Sequence, residues 1–586
     1  MHKSWRFIPS FKALAIALCA LAAVSLCISG AWAQASKKYV LMSSSGTWGL
    51  AQDAAVTSNG GTIDYSHAAS GLGVAVSSDA NFLKNVMKGS AFGAGGEDQM
   101  VQWVEPDRDG VDQEDLSQEA VTPGNETFIN EQWNVTAVQA AGAWAAGYTG
   151  AGVRVAVIDG GMYNSHIDLA SQVDVAASRS FVPGFAFNQD VGTFWHATHV
   201  AGIIAAADNG IGTIGIAPDA RIISVKALHN GSGSFQAVIE GILYASDPIS
   251  AGGAGADIIN MSLGATFARG GGNTGAGGLV AALNQAVNYA KSRNVLVVSA
   301  AGNNGLDLDH SASVISIPAQ SGSGIAVSAT GPIGYGVNWP NGATNFRHPA
   351  YYTNFGKSAV WLAAPGGEDS YSPSTQLCTI PRCCGGSVTI NCWVHDMVMS
   401  TVRGSGASIA TYSWADGTSM AAPVVSAVAA IVKQRFPNFG ADDLKAFLAQ
   451  HADGVGGNDP LRPYYGKGFV NAARCATEGG DPSQVAPIMS LHPGPAVAAA
   501  QHVQLMISKN GSSSPEISFS LPTAGHARLE LFDLAGRKVG RLFDGEANAG
   551  RTTVNWNSKA IGQGAYFARL TANGVQQAQK IMLMSR

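Results

Sequence analysis

Four short apolar runs, Val153–Ile158, Ala220–Lys226, Ile258–Leu263 and Val295–Ala300, share one chain segment with helical stretches at Phe235–Ser246 and Leu279–Arg293. Each run has the length of a strand but lacks the strict polar alternation of a half-exposed one, so both of its faces must be covered. Strands of that kind alternating with helices predict an α/β fold, a parallel sheet with helices on both faces joined by right-handed crossovers. Such sheets place their sites at the carboxyl ends of the strands.

Composition excludes several function classes. Apolar residues make up 46% of the 586, enough for a large core, while charged residues are only 13%. A net charge of −5 offers no field to attract nucleic acid or anionic lipid, so no nucleic-acid partner is expected. At the N-terminus, His2, Lys3, Arg6 and Lys12 precede an apolar run from Ala13 to Ile28. That run is shorter than the roughly 20 residues of a membrane span. Ala31-Trp32-Ala33 then has small residues where a signal peptidase reads, predicting cleavage after Ala33 and export.

Four further segments follow from pattern. Residues 34–120 form a small α+β unit, with strands at Lys38–Met42 and Gly73–Val76, a helix at Asn81–Met87, and an acidic, exposed linker at Glu105–Glu119. Residues 121–476 are the α/β domain. Residues 477–514, with Pro482, Pro487, Pro493 and Pro495, read as a linker. Residues 515–586 change to short alternating runs, Ile517–Leu521, Ala527–Phe532, Thr553–Trp556 and Tyr566–Thr571, which predict a small antiparallel β-sandwich.

Export leaves five cysteines. Cys378, Cys383, Cys384 and Cys392 cluster without a C-x-x-C pair, which argues for two structural disulfides rather than zinc. A bond between the neighbours Cys383 and Cys384 would be strained, leaving two connectivities, each joining Cys378 and Cys392 to different members of that pair. Cys475 is the odd thiol.

Three sites carry chemistry. Asp159 ends the strand Val153–Ile158 and precedes Gly160-Gly161. Alone, an Asp-Gly pair is turn chemistry. His196 opens the helical run His196-Ala197-Thr198-His199-Val200-Ala201-Gly202. His196 and His199 have metal-pair spacing, but no third ligand accompanies them. Ser419, in Gly417-Thr418-Ser419-Met420-Ala421-Ala422-Pro423, starts another apolar helix, where a serine is ordinarily a cap. Together they supply a carboxylate, a base and a nucleophile in the order Asp, His, Ser.

On these residues the chain resembles the subtilisin-like serine protease family. Asp159, His196 and Ser419 stand at the positions of its catalytic triad. Ser299-Ala300-Ala301-Gly302-Asn303 is similar to the segment supplying the oxyanion-hole asparagine, here Asn303. Met261-Ser262-Leu263-Gly264 resembles the strand that pairs with bound peptide, and Ala300, Ala301 and Gly302 complete the implied substrate-binding set. Asn354-Phe-Gly-Lys357 and Ala363-Ala-Pro-Gly366 add non-catalytic family texture. The resemblance implies a monomeric endopeptidase acting on proteins or peptides, with residues 34–120 as a self-cleaved inhibitory propeptide. It requires no cofactor for the chemistry. Structural calcium is common in that family, and no individual ligand for it can be matched in this sequence.

Ala197 and Trp195 depart from the family's usual glycine and smaller residue, predicting a narrowed neighbouring subsite. The cysteine loop 378–392 is an insertion expected to be a stabilised surface excursion. Leu531-Phe-Asp533-Leu-Ala-Gly536-Arg537, Gly550, Val554-Asn-Trp556, Gly564-Ala-Tyr566 and Lys580-Ile-Met-Leu583 resemble Ig-like modules of flagellar hook-capping proteins and type IX secretion sorting domains. That likeness implies a secretion-machinery or cell-surface role. The competing reading is an inactive protease fold used for adhesion. The acid-acting sedolisin-like relatives are disfavoured by the His196 motif.

Overall fold

The computed structural model describes residues 35–102, 111–114, 126–479 and 504–583, with short interruptions in the last two spans. The expected signal segment 1–33, Cys384 and most of both expected linkers lie outside the described residues. The chain divides into two units, Met1–Ser490 and Leu491–Arg586.

The first unit begins with β1 (Lys37–Ser43), α1 (Leu50–Ser58), β2 (Thr62–His67), β3 (Leu72–Ser77), α2 (Phe82–Val86) and β4 (Phe92–Glu97). The strands form an antiparallel sheet in the order β2-β3-β1-β4. Tyr39, Leu41, Trp48, Val56, Phe82 and Phe92 close a small core between this sheet and its helices. Two short strands follow, β5 (Met100–Gln102) and β6 (Val111–Glu114). β6 lies inside the acidic stretch expected to be an exposed linker, yet it is hydrogen-bonded to a strand some 300 residues away. Local charge carried no sign of that distant edge.

The α/β domain continues with β7 (Arg154–Asp159), β8 (Arg179–Ser180), α3 (His196–Ala205), β9 (Arg221–Lys226), β10 (Ser232–Ser234), α4 (Phe235–Ser246), β11 (Ile258–Met261) and β12 (Ala265–Ala268). Next come α5 (Ala276–Ser292), β13 (Leu296–Ala300), β14 (Val314–Ile317), β15 (Ile325–Gly331), β16 (His348–Pro349) and β17 (Leu362–Pro365). The central sheet runs β16-β15-β13-β11-β7-β9-β8, with β17 also on β15. Every pairing in it is parallel except β15 with β16. Successive β7 residues bury into opposite cores: Val155 and Val157 join one cluster, Ala156 and Ile158 the other. This is the two-faced burial that the unbroken apolar runs require. Chain order reverses at β7, with β9 on one side and β11 on the other, so the crevice at the carboxyl end of β7 is the expected site.

The region before Ser419 holds a hairpin, β18 (Leu377–Pro381) with β19 (Ser387–Asn391), and a second pair, β20 (Val398–Arg403) with β21 (Ala410–Ala415). β6 adds to the free edge of β21. Helix α6 (Thr418–Arg435) then passes through the core almost wholly buried.

The disulfide joins Cys378 to Cys392, which overturns both connectivities expected from the sequence. The hairpin register explains the outcome. Leu377 pairs with Asn391 and Cys378 with Ile390, so the two outer cysteines sit together at the hairpin base while Cys383 is at its tip. The hairpin is fastened to the start of the domain, with Asn130 Nδ2 donating to Pro381 O and Cys383 N to Thr127 O. Cys475 is fully buried and carries no disulfide; burial pushes its thiol up to about 12.

The second unit consists of β22 (Gln504–Ser508), β23 (Glu516–Leu521), β24 (Gly525–Asp533), β25 (Lys538–Ala547), β26 (Gly550–Val554), β27 (Gly564–Ala572) and β28 (Val575–Leu583). They make two antiparallel sheets, β22-β23-β26 and β25-β24-β27-β28. Leu505, Ile517, Phe519, Leu529, Leu531 and Leu570 form the shared core. β22 falls in the stretch expected to be linker. Leu505 packs in that core, while the nearby prolines and alanines dominated the composition.

Candidate active site

Asp159 is the last residue of β7, and its side chain is fully buried at the carboxyl edge of the sheet. The next turn needs glycine: a Cβ on Gly161 would lie 2.2 Å from Gln189 O. Gly160 N donates to Asp159 Oδ1 at 2.6 Å. Across the crevice, α3 opens at His196, whose Nδ1 lies 2.9 Å from Asp159 Oδ2 and 3.0 Å from Oδ1. Both partners are inaccessible to solvent, so the carboxylate fixes which imidazole nitrogen carries the proton.

The His196–His199 metal pairing is not what the helix builds. His199 Nε2 instead donates to the carbonyls of Val398 and Ser413, 3.1 Å from each. Burial, with His196 adding to it, holds the His199 pKa down to about 3. No cluster of three or more His, Cys, Asp or Glu side chains suited to a metal occurs among the described residues. β20 binds the same helix from outside. Ser400 Oγ donates to His199 O and Thr401 Oγ1 to Thr198 O, each at 2.8 Å. Gly202 permits this approach, since a Cβ there would lie 2.2 Å from Thr401 Oγ1.

Ala197 is buried in the main hydrophobic cluster, so its methyl fills core. Trp195 is almost buried, with its ring edge-on to Tyr163 and 4.9 Å from the Arg403 guanidinium. Of the two departures, Trp195 is the one that packs against Tyr163 and Arg403 outside the core cluster.

Ser419 is the second residue of α6, after Gly417 at the N-cap with φ 147°. That φ is strained for any residue but glycine. Ser262 and Ser419 exchange hydrogen bonds: Ser262 Oγ donates to Ser419 O at 2.7 Å, and Ser419 Oγ to Ser262 O at 3.3 Å. Asn303 is held by Thr418, whose N and Oγ1 donate to Asn303 Oδ1 at 2.9 and 2.7 Å. Engaging the amide oxygen leaves Nδ2 as the donor end of the side chain. Thr418 Oγ1 also accepts from Gly302 N at 3.0 Å.

The sequence reading gave Thr418 no role and treated Asn354 as texture. Asn354 Nδ2 donates to Ala301 O, and its Oδ1 accepts from Asn304 N and Leu306 N, so it pins the loop that carries Asn303. Gly302, at φ 102°, has room for no side chain: a Cβ would lie 2.4 Å from Asn354 Nδ2. The nearness of both residues to recognised motifs was the only available signal.

Asp190 ties the crevice together. Its carboxylate accepts from Gly161 N at 2.6 Å and Asn230 N at 2.9 Å, and lies 3.5 Å from the buried Lys226 ammonium. It thereby fixes the turn after Asp159 to the loop that leads into β10.

A twisted parallel sheet with a buried Asp–His pair at its carboxyl edge, and a serine opening a core helix beside an anchored asparagine, defines a serine-type peptidase. The Subtilase family model matches residues 150–468, and the chain belongs to that family. It is 36% identical over 341 residues to the M-protease of Shouchella clausii, covering 58% of this chain and 68% of that one. It is 35% identical to Subtilisin Savinase of Lederbergia lenta, covering 58% of this chain and 96% of that protein. The fold matches the epidermin leader peptide processing serine protease of Staphylococcus aureus with a TM-score of 0.57 at 19% identity, over 76% of this chain and all of that one. The protein is a subtilisin-like serine endopeptidase. Among its described residues no helix is long and apolar enough to cross a membrane.

Proposed function

We propose that this endopeptidase is exported as a zymogen and cleaves peptide bonds through an acyl-enzyme, with Asp159, His196 and Ser419 as its triad. The buried Asp159–His196 pair carries this reading. Ser419 Oγ attacks the peptide carbonyl carbon while its proton passes to His196 Nε2, and Asp159 stabilises the imidazolium. The oxyanion is met by Asn303 Nδ2 and by the Ser419 N–H at the positive end of α6. The tetrahedral intermediate collapses as Nε2 protonates the leaving amine. Water, deprotonated by the same nitrogen, then releases the acyl group and restores the serine. The backbone of Ser262, Leu263 and Gly264 pairs with the extended substrate, and Ala300, Ala301 and Gly302 line the opposite side.

The N-terminal unit supports the zymogen reading. Its His67 Nε2 lies 2.9 Å from Asp247 Oδ2, Asp98 Oδ1 accepts from Gln236 N in the first turn of α4, and β5 is an added strand on β10. In this reading residues 34–120 are the propeptide, residues 1–33 the signal peptide, and residues 515–586 a surface or sorting module. Comparison of intact masses of wild type and Ser419→Ala tests the reading. Loss of the propeptide only in wild type supports it. If both stay full length and neither cleaves an unfolded protein, the inactive adhesion reading takes its place.

The structural calcium common in the family has hard oxygen donors available near the start of the domain. Glu126 and Asp168 are both buried beside Asn209, and burial raises their carboxyls to about 8 and about 7. Glu126 Oε2 has no hydrogen-bond partner among the described residues. An oxygen-coordinated divalent cation would satisfy that atom and favour the charged forms. Calcium should then raise the melting temperature of wild type and much less that of Glu126→Gln.

A further inference from the structure

Pro423 is the sixth residue of α6. Proline has no N–H to donate to the carbonyl four residues earlier, and that carbonyl belongs to Ser419. Ser262 Oγ donates to this carbonyl at 2.7 Å. Asn260 Nδ2 donates to Ser262 Oγ at 3.0 Å, and Ser426 Oγ donates to Asn260 Oδ1 at 2.9 Å. All four residues are completely buried. The chain of bonds leaves α6 at Ser426, crosses to Asn260 on β11 and returns through Ser262 to Ser419, two helical turns before its start. A hydroxyl has a single proton, so each link has one direction.

We propose that Ser262 is a positioning residue whose hydroxyl replaces the helical hydrogen bond removed by Pro423, with Asn260 and Ser426 holding it in orientation. This role is separate from the main-chain contacts of Ser262 with substrate, and it rests on the reading of Ser419 as nucleophile. The orientation of the Ser419 peptide plane sets both Oγ and the geometry of the following turn. With Pro423 in the helix, that plane takes its bond from the central sheet. Without Ser262 Oγ the carbonyl loses the bond it takes from the central sheet, and the peptide plane tilts.

The test is a double-mutant cycle on the full chain. Ser262→Ala and Ser262→Cys are made with and without Pro423→Ala, which returns an N–H at position 423. Readouts are kcat and KM on one peptide, with working sites counted by a serine-directed acylating probe. In the natural background S262A should lower kcat about five- to tenfold, the effect of one hydrogen bond, with KM nearly unchanged. The cysteine, a weaker donor, should fall between. With P423A present, the loss on S262A should shrink below about twofold, because the helix supplies the bond itself. An equal loss in both backgrounds, or none in either, overturns the proposal. If S262A yields no reactive sites, Ser426→Ala at the far end decides, since its smaller kcat loss must also vanish with P423A. A wild type that neither hydrolyses peptide nor reacts with the probe refutes the Ser419 reading instead.

Discussion

Asp159 keeps both carboxylate oxygens within 3.0 Å of His196 Nδ1 in a pocket closed to water. The carboxylate therefore selects the tautomer in which Nε2 is the basic nitrogen. Asp159→Asn preserves the shape but presents an amide that donates as well as accepts, favouring the opposite tautomer. A loss of about 10⁴ in kcat is expected, with KM little changed. Steady-state kinetics on a peptide substrate would measure it, and a loss under tenfold would show that Nδ1 is not being held this way.

Asn303 is anchored through its oxygen by Thr418 N and Oγ1, so the oxyanion donor and the residue before Ser419 form one unit. Asn303→Ala should reduce kcat by about 10²–10³, a figure that comes from a subtilisin itself. Thr418→Val removes the Oγ1 clamp while leaving the amide in place. It should cost about tenfold, from one misdirected hydrogen bond. Equal losses in the two variants would mean that Asn303 acts only as a brace for the helix start.

The parts of this architecture legible in the sequence are those set by local pattern. Val153–Ile158 is unbroken by polar residues because both faces of β7 are buried, and Asp159, His196 and Ser419 each sit in a motif at an element boundary. Partners distant in the chain left no such trace. The pairing of Cys378 with Cys392 depends on hairpin register, whereas strain between the neighbours Cys383 and Cys384 had argued for joining each outer cysteine to one of them. β6 is a strand only because β21 offers it an edge. Thr418 and Asn354 gain their roles from the loop at Asn303: the Thr418–Asn303 contact spans 115 residues and the Asn354–Ala301 contact 53.

Docking of the N-terminal unit on α5 relies on a seam of glycines. A Cβ on Gly278 would lie 2.1 Å from Gly95 O, and one on Gly96 would lie 2.3 Å from Gly275 O. Gly278→Ala should favour the helix itself by about 0.8–1 kcal/mol. It should nevertheless push residues 35–102 off the domain, since backbone cannot yield as a side chain can. In a Ser419→Ala background, which keeps the chain intact, trypsin should attack Lys84 and Lys88 about tenfold faster when G278A is added. Unchanged digestion would show that the seam adjusts.

His199 and His166 are buried and neutral, their pKa values depressed by burial to about 3 and about 4. In the unfolded chain each returns to about 6.5. Below pH 6.5 the unfolded state takes up a proton that the native state refuses, so the stability each contributes is lost as pH falls toward its native value. Glu368 and Asp396, raised to about 7 by burial, act in the opposite sense: as pH falls through 7 they protonate in the native state first and favour it. The raw acid curve mixes these signs, and comparison with His199→Gln separates them. The glutamine amide can still donate to the carbonyls of Val398 and Ser413, but it does not titrate. Between pH 6 and 4 the stability of wild type relative to this variant should fall by about 1.4 kcal/mol per pH unit, measured by urea unfolding. A flat difference across that range would mean that His199 is already charged in the folded protein.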